Sequence, residues 1–136
     1  MIKRVLTGLI LAFSLVFFCG CDSKSPYLTF NAKPINQRTV YDAQKIFKPS
    51  QTIHYAILMP KGFKQEYLRM QIIKKPENVA FGGVSIYLSK DLFVDKSKKF
   101  YIDKIVIHQP GTYVVRLFYG NRTEAPFVEN ILWVRN

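Results

Sequence analysis

The chain has two cysteines, Cys19 and Cys21, which flank Gly20 in the run Phe-Cys-Gly-Cys. A thiol near a chain terminus can be acylated, oxidised or bound to a soft metal. Residues 22–136 contain no cysteine. That part of the chain therefore has no disulfide framework, no thiolate metal site and no cysteine nucleophile, and thiol chemistry is confined to the first 21 residues.

The segment before the cysteines has the organisation of an export signal. Lys3 and Arg4 precede an almost wholly apolar run of 14 residues, 5–18, which ends just before Cys19. This run is as long as the apolar region of a signal peptide and shorter than the roughly 20 residues that span a bilayer as a helix. A permanent transmembrane anchor is thus the less favoured alternative. The order of positive charge, apolar run, small residue and cysteine resembles a bacterial lipoprotein signal peptide.

This resemblance implies a cleavage site and a location. Cleavage would fall between Gly20 and Cys21, since Gly20 is the small residue that must precede the modified cysteine. Cys21 would then be the lipid-bearing first residue, carrying palmitate-type acyl chains. Residues 1–20 would be the signal peptide, 21–27 a lipidated tether and 28–136 the folded domain. The domain would be lipid-anchored at the cell membrane or outer membrane, facing the periplasm or the cell exterior.

The charge of the chain is strongly positive, at +11. Lys3 and Arg4 fall in the first 21 residues, which contain no acid, so the remainder carries +9. Three explanations compete: a solvated lysine-rich surface, attraction to anionic lipid headgroups, and binding of nucleic acid. No recognition-helix or RNA-binding signature is present, so we expect no nucleic-acid partner.

After residue 26 the apolar residues recur with the period of strands, and no window carries a helical stripe. In Glu66–Lys74, for example, Leu68, Met70 and Ile72 share one face. The pattern indicates an antiparallel sandwich or barrel. We favour a sandwich of about seven strands after an N-terminal signal helix. The predicted runs are Tyr27–Phe30, Arg38–Tyr41, Gln51–Met59, Glu66–Lys74, Val84–Leu88, Lys99–His108, Thr112–Tyr119 and Phe127–Val134.

The run Pro-Gly-Thr-Tyr-Val-Val-Arg-Leu, residues 110–117, resembles the penultimate strand of PKD-like and related immunoglobulin-like domains. In those domains a Pro-Gly-x-Tyr turn leads into an alternating strand. The resemblance implies an immunoglobulin-like topology, with Pro110 and Gly111 in a structural corner. Tyr113 would act as a tyrosine corner, its hydroxyl bonding to the backbone of the preceding turn.

Groups that could support catalysis or metal binding are few after residue 21. His54 and His108 lack metal-ligand spacing, although they could meet across a sheet. Asp91 and Asp95 stand four apart across a predicted turn, with too few oxygen ligands nearby for a calcium loop. Three serines lack nucleophile motifs: Ser85, Ser89 and Ser97. Phe81-Gly82-Gly83 could form a turn that approaches a ligand, although such a run is more often a bulge or a tight entry to a strand. We therefore expect no cofactor, no metal and no enzymatic activity.

The eight tyrosines of the chain all follow residue 21. Tyrosines on a solvent-facing sheet suit recognition, and the alternative is a hydroxyl reaching water at the rim of the sheet. The candidates in strands are Tyr55, Tyr67, Tyr87, Tyr101 and Tyr119. The sequence favours a non-catalytic binding or accessory module with an envelope protein as partner. The alternatives are a basic face that binds anionic lipid or cell-wall polymer, and a small hydrolase or metal-binding protein.

Overall fold

The computed structural model describes residues 25–77, 85–122 and 124–136, and these ranges contain eight strands and no helix. The all-β class predicted from the sequence is confirmed, although the short strand at Ile46–Phe47 was not among the predicted runs. The predicted signal helix lies outside the described residues. The strands are β1 (Tyr27–Asn31), β2 (Ile46–Phe47), β3 (Thr52–Leu58), β4 (Tyr67–Lys74), β5 (Ser85–Phe93), β6 (Phe100–Val106), β7 (Gly111–Tyr119) and β8 (Val128–Val134).

The strands form two sheets. One sheet has three strands in the order β1-β3-β6, and both of its pairs are antiparallel. The other has five strands in the order β2-β8-β7-β4-β5, antiparallel except for the short β2–β8 pair, which is parallel. The described chain is therefore a two-layer sandwich of unequal sheets, and it passes repeatedly from one sheet to the other, with only β4–β5 and β7–β8 consecutive in the same sheet.

The core lies between the two sheets, where strand alternation turns one face of each strand inward. On β4 the inward residues Leu68, Met70 and Ile72 are fully buried, as the sequence predicted. Burial of each such side chain contributes about 1.5–3 kcal/mol. The inward face of β3 supplies Ile53 and Ile57 to the same core.

The short strand predicted at Arg38–Tyr41 is wrong, because residues 37–41 form a turn. The side chain of Asn36 accepts hydrogen bonds from the backbone N–H groups of Arg38 (2.8 Å) and Thr39 (3.1 Å). The Asn36 carbonyl also accepts the N–H of Val40 at 2.9 Å. An asparagine that bonds its own following backbone in this way competes with a strand ladder.

Strand β5 is longer than the predicted Val84–Leu88 run and continues to Phe93. The predicted turn between Asp91 and Asp95 is therefore wrong, since Asp91 lies within the strand. The additional residues of β5 are hydrogen-bonded to β4, up to the pair of Tyr67 and Phe93. The expected apolar face of β5 is interrupted as well: Ile86 is exposed, because the register shifts between Ile72 and Ile73 on the neighbouring strand.

Candidate functional site

Two rows of apolar side chains lie on the outer face of the three-stranded sheet. In the β3–β6 ladder Leu58 pairs with Phe100, and Ala56 pairs with Ile102. These four residues alternate with the inward ones, so their side chains point away from the main core. Phe100 and Ile102 remain exposed, although each is large and hydrophobic.

The segment between β1 and β2, residues 32–45, covers part of this face. Its Ile35 and Val40 side chains are buried against Ala56 and pack with Leu58 in a second, smaller hydrophobic cluster. A groove of about 350 Å³ remains between this segment and β6. Its volume falls in the range of ligand sites, roughly 300–1,000 Å³. The lining residues are Ile35, Asn36, Gln37, Val40, Ala56, Leu58, Phe100 and Ile102.

Strand β6 is an edge strand, paired only with β3 among the described strands. The Met59 N–H donates to the Lys99 carbonyl at 2.7 Å, which makes Met59 and Lys99 a hydrogen-bonded pair. In an antiparallel ladder such pairs alternate with non-bonded ones. The N–H and C=O groups of Phe100 and Ile102 consequently point away from β3, toward the open edge.

Three of the eight large hydrophobic side chains exposed in the described ranges lie on β6. They are Phe100, Ile102 and Val106, which share the outer face of the strand. Two more, Ile86 and Phe93, lie on β5, the edge strand of the other sheet. An exposed edge with apolar side chains is a place where another chain can pair.

The inward face of β6 carries a polar cluster. Asp103 accepts hydrogen bonds from Lys90 Nζ on β5 (3.0 Å) and from the Tyr101 hydroxyl (3.3 Å). Although burial acts to raise it, the pKa of Asp103 is lowered by the contacts from Lys90, the Lys104 N–H and Tyr101. Asp103 is therefore held as a carboxylate.

Tyr55 lies beneath this cluster, and its buried hydroxyl makes no well-aligned hydrogen bond within the described structure. Burial first, and then the neighbouring Asp103 and Tyr101, raise the pKa of Tyr55 far above its usual value. The pKa shifts of Tyr55 and Asp103 both move away from neutrality, whereas an efficient acid or base has a pKa near the working pH. The cluster is suited to fixing charge rather than to transferring protons.

The structure does not bring the two histidines together. His54 lies opposite Lys104 in the β3–β6 ladder, on the outer face. His108 follows β6, and its Nδ1 is 2.9 Å from the Ser50 hydroxyl. Within residues 25–77, 85–122 and 124–136, no group of three His, Cys, Asp or Glu side chains is arranged to hold a metal ion.

The two aspartates and the three serines are also dispersed. Asp91 on β5 accepts hydrogen bonds from the Tyr67 hydroxyl (2.9 Å) and Arg69 Nε (3.0 Å), and these contacts lower its pKa. Asp95 accepts from the backbone N–H and hydroxyl of Ser97, which stabilises the turn before β6. Ser85 and Ser89 are exposed on β5. Phe81, Gly82 and Gly83 lie outside the described residues.

The corner residues lie at the start of β7. Pro110 precedes the strand, Gly111 begins it, and the buried Tyr113 donates its hydroxyl to the Gln109 carbonyl at 2.6 Å. The Tyr113 ring also packs edge-on against Tyr87, with ring centroids 5.3 Å apart. Gly20 and Cys21 lie outside the described residues.

None of the five strand tyrosines singled out in the sequence is exposed. Tyr55 is fully buried, and the other four are half-buried. Tyr119, for instance, stacks on Phe127 with centroids 4.3 Å apart. The exposed side chains on the outer face are instead Phe100 and Ile102, which were not among the residues predicted from the sequence. The sequence did contain a sign of this exposed apolar face, because Lys99–His108 carries apolar residues on both of its faces.

No protein-family model matches the chain, and a search of the curated proteins finds no match. Within the part of the chain that the structure describes, no helix has the length and apolar character needed to cross a bilayer.

Proposed function

We propose that this protein is a non-catalytic binding module of the bacterial envelope, anchored to the membrane through lipid on Cys21. The observation that carries the binding role is the groove beside β6. Its lining consists of apolar side chains and the amides of Asn36 and Gln37, with no acid, base or nucleophile. Such a lining can hold an apolar group by excluding water, but it offers that group no catalytic side chain.

The strand order supports an immunoglobulin-like topology. In that topology strands A, B and E lie in one sheet, while C′, C, F and G lie in the other. The order β1-β3-β6 fits the places A-B-E, and β5-β4-β7-β8 fits C′-C-F-G. The Tyr113 hydroxyl bond to Gln109 then falls at the E–F corner, where these domains carry their corner tyrosine. The described strands leave the place of strand D beside β6 empty.

Tethering is the mechanism of this module. Acyl chains on Cys21 would confine the domain to a membrane surface, where it meets its partner at a high effective concentration. A weak contact at the groove is sufficient under those conditions. We place the anchor at the cell membrane or outer membrane, with the domain facing the periplasm or the exterior.

Mass spectrometry of protein extracted from bacterial membranes tests the anchor. We expect a mature N-terminus at Cys21 with the added mass of acyl chains. Cys21→Ser should accumulate as the unprocessed chain, while the matched variant Cys19→Ser should be processed and acylated like the wild type. Processing of Cys21→Ser at an unchanged rate, or an unmodified thiol on Cys21, would overturn the proposal.

A further inference from the structure

We infer that the open edge of β6 binds an extended acidic segment of a partner protein, which adds a strand beside Phe100–Ile102 and places an apolar side chain in the groove. This inference names the partner chemistry of the binding module proposed above and rests on that function. The binding mode is strand addition, in which main-chain hydrogen bonds give affinity and a side-chain pocket gives specificity.

The backbone of β6 can accept a strand over a short stretch. Phe100 and Ile102 turn their N–H and C=O groups to the open edge, as the alternation from the Met59–Lys99 pair requires. The proposed pairing segment is Phe100–Ile102, with Lys99 before it and Lys104 after it.

The groove gives this short edge its side-chain specificity. Phe100 and Ile102 form one wall of the groove, and Ile35 and Val40 stand across it on the β1–β2 segment. A strand paired beside β6 places alternate side chains on the same outer face. One long apolar side chain on that face can lean between Phe100 and Ile102 into the groove.

The charges around the edge select an acidic partner. Residues 90–108 contain five lysines and three aspartates. Asp103 pairs with Lys90 and Asp91 pairs with Arg69, whereas the ion pairs of the described residues include neither Lys99 nor Lys104. These two lysines flank the pairing segment at both ends. A second copy of this chain, whose residues 22–136 carry +9, would bring the same cations to the contact, so the charge disfavours self-pairing and favours carboxylates.

The test uses the full-length protein in nanodiscs of zwitterionic lipid, with empty nanodiscs as the blank. The probe is a short labelled peptide that alternates glutamate and leucine, and its binding is followed by fluorescence anisotropy. We expect saturable binding that weakens as salt rises, because salt screens the exposed lysines. A peptide with lysine in place of glutamate should not bind.

Two matched variants locate the contact. Ile102 is 43% exposed on the edge strand β6, and Ile46 is 46% exposed on the edge strand β2 of the other sheet. Ile102→Ser should weaken peptide binding by about tenfold or more, because it removes a central apolar contact without adding charge. Ile46→Ser should change it by less than about twofold. Both positions are exposed, and circular dichroism checks that both variants fold.

Backbone pairing is tested with a peptide whose alternate amides are N-methylated. Loss of binding supports strand addition, whereas unchanged binding of that peptide overturns it. An equal loss of peptide binding in Ile46→Ser and Ile102→Ser also overturns it. Binding to anionic vesicles without binding of the acidic peptide would assign the face to lipid instead. None of these results depends on acylation, so a failure here is distinct from a failure of the anchor at Cys21.

Discussion

The Lys90 Nζ on β5 lies 3.0 Å from an Asp103 carboxylate oxygen on β6, so one ion pair joins the edge strands of the two sheets. Both partners are partly exposed, with 42% and 31% of their side chains accessible to solvent. Backbone hydrogen bonds do not link these two strands, since each belongs to a different sheet. The pair thus links the β6 edge to β5 through side chains alone.

We predict that Asp103→Asn lowers the free energy of unfolding by less than about 1 kcal/mol at neutral pH, because water screens a partly exposed pair. The folded state lowers the pKa of Asp103, so the carboxylate stabilises the fold above the unfolded-state value of about 3.9. That contribution is lost as the pH falls through the folded-state pKa. Urea unfolding of wild type and variant should therefore differ at pH 7 and converge in acid. A difference of constant size at both pH values would contradict this account.

Two isoleucines show how the candidate site differs from the core in its contribution to stability. Ile72 on β4 is fully buried, while Ile102 on β6 is 43% exposed. Ile72→Ala should cost about 2–5 kcal/mol of unfolding free energy, because it removes buried contacts and leaves a cavity. Ile102→Ala should cost less than about 1 kcal/mol, since the side chain is already in contact with water. Chemical denaturation of the two variants measures both values, and a comparable loss for each would show that Ile102 belongs to the core.

The hydroxyl of Tyr113 stabilises the turn before β7. Tyr113→Phe removes the hydrogen bond to the Gln109 carbonyl and should cost about 0.5–1.5 kcal/mol. Tyr41→Phe is the control, because Tyr41 is exposed and its change should leave stability within about 0.5 kcal/mol. Thermal unfolding compares the two variants. Equal melting temperatures for both would show that the corner hydrogen bond contributes nothing measurable.

Asn130 on β8 joins the two sheets at the opposite side. Its amide donates to the Leu28 carbonyl on β1 at 2.8 Å. Asn130→Ala should therefore cost about 1 kcal/mol and accelerate hydrogen exchange in residues 27–31 more than in β4. Glu129→Ala, which removes only an exposed ion pair with Arg116, is the matched control on the same strand. Equally faster hydrogen exchange in all strands would indicate global destabilisation rather than loss of the hydrogen bond between Asn130 and Leu28.

The strands that the sequence predicted well are those with one buried face. In β4 the alternation of Leu68, Met70 and Ile72 matches the burial directly. The strand predicted at Arg38–Tyr41 does not form, because the Asn36 side chain accepts hydrogen bonds from the backbone N–H groups that follow it. Hydropathy does not report such a contact. The prediction for β5 ended too early because Ser89, Lys90 and Asp91 interrupt its apolar pattern. Pairing with β4 carries the strand past these residues to the buried Leu92.

The groove could not be predicted from the periodicity of the strands. It requires that residues 32–45 fold back onto Ala56 and that β6 occupy an edge, and both depend on contacts between distant parts of the chain. The sequence does show Phe100, Ile102 and Val106 on one face of their strand. It does not say whether that face meets the core or water, since the opposite face carries Ile105 and Ile107.

The β1 strand enters the three-stranded sheet at Tyr27, opposite Leu58, which in turn lies opposite Phe100. With Cys21 as the anchored residue, Tyr27 lies only six residues along the chain from the lipid. A tether of that length spans about 20 Å at full extension. The groove would then open at the end of the domain nearest the bilayer. Only a segment that emerges close to the membrane surface could enter it, and segments of partners that project farther from the surface would be out of range.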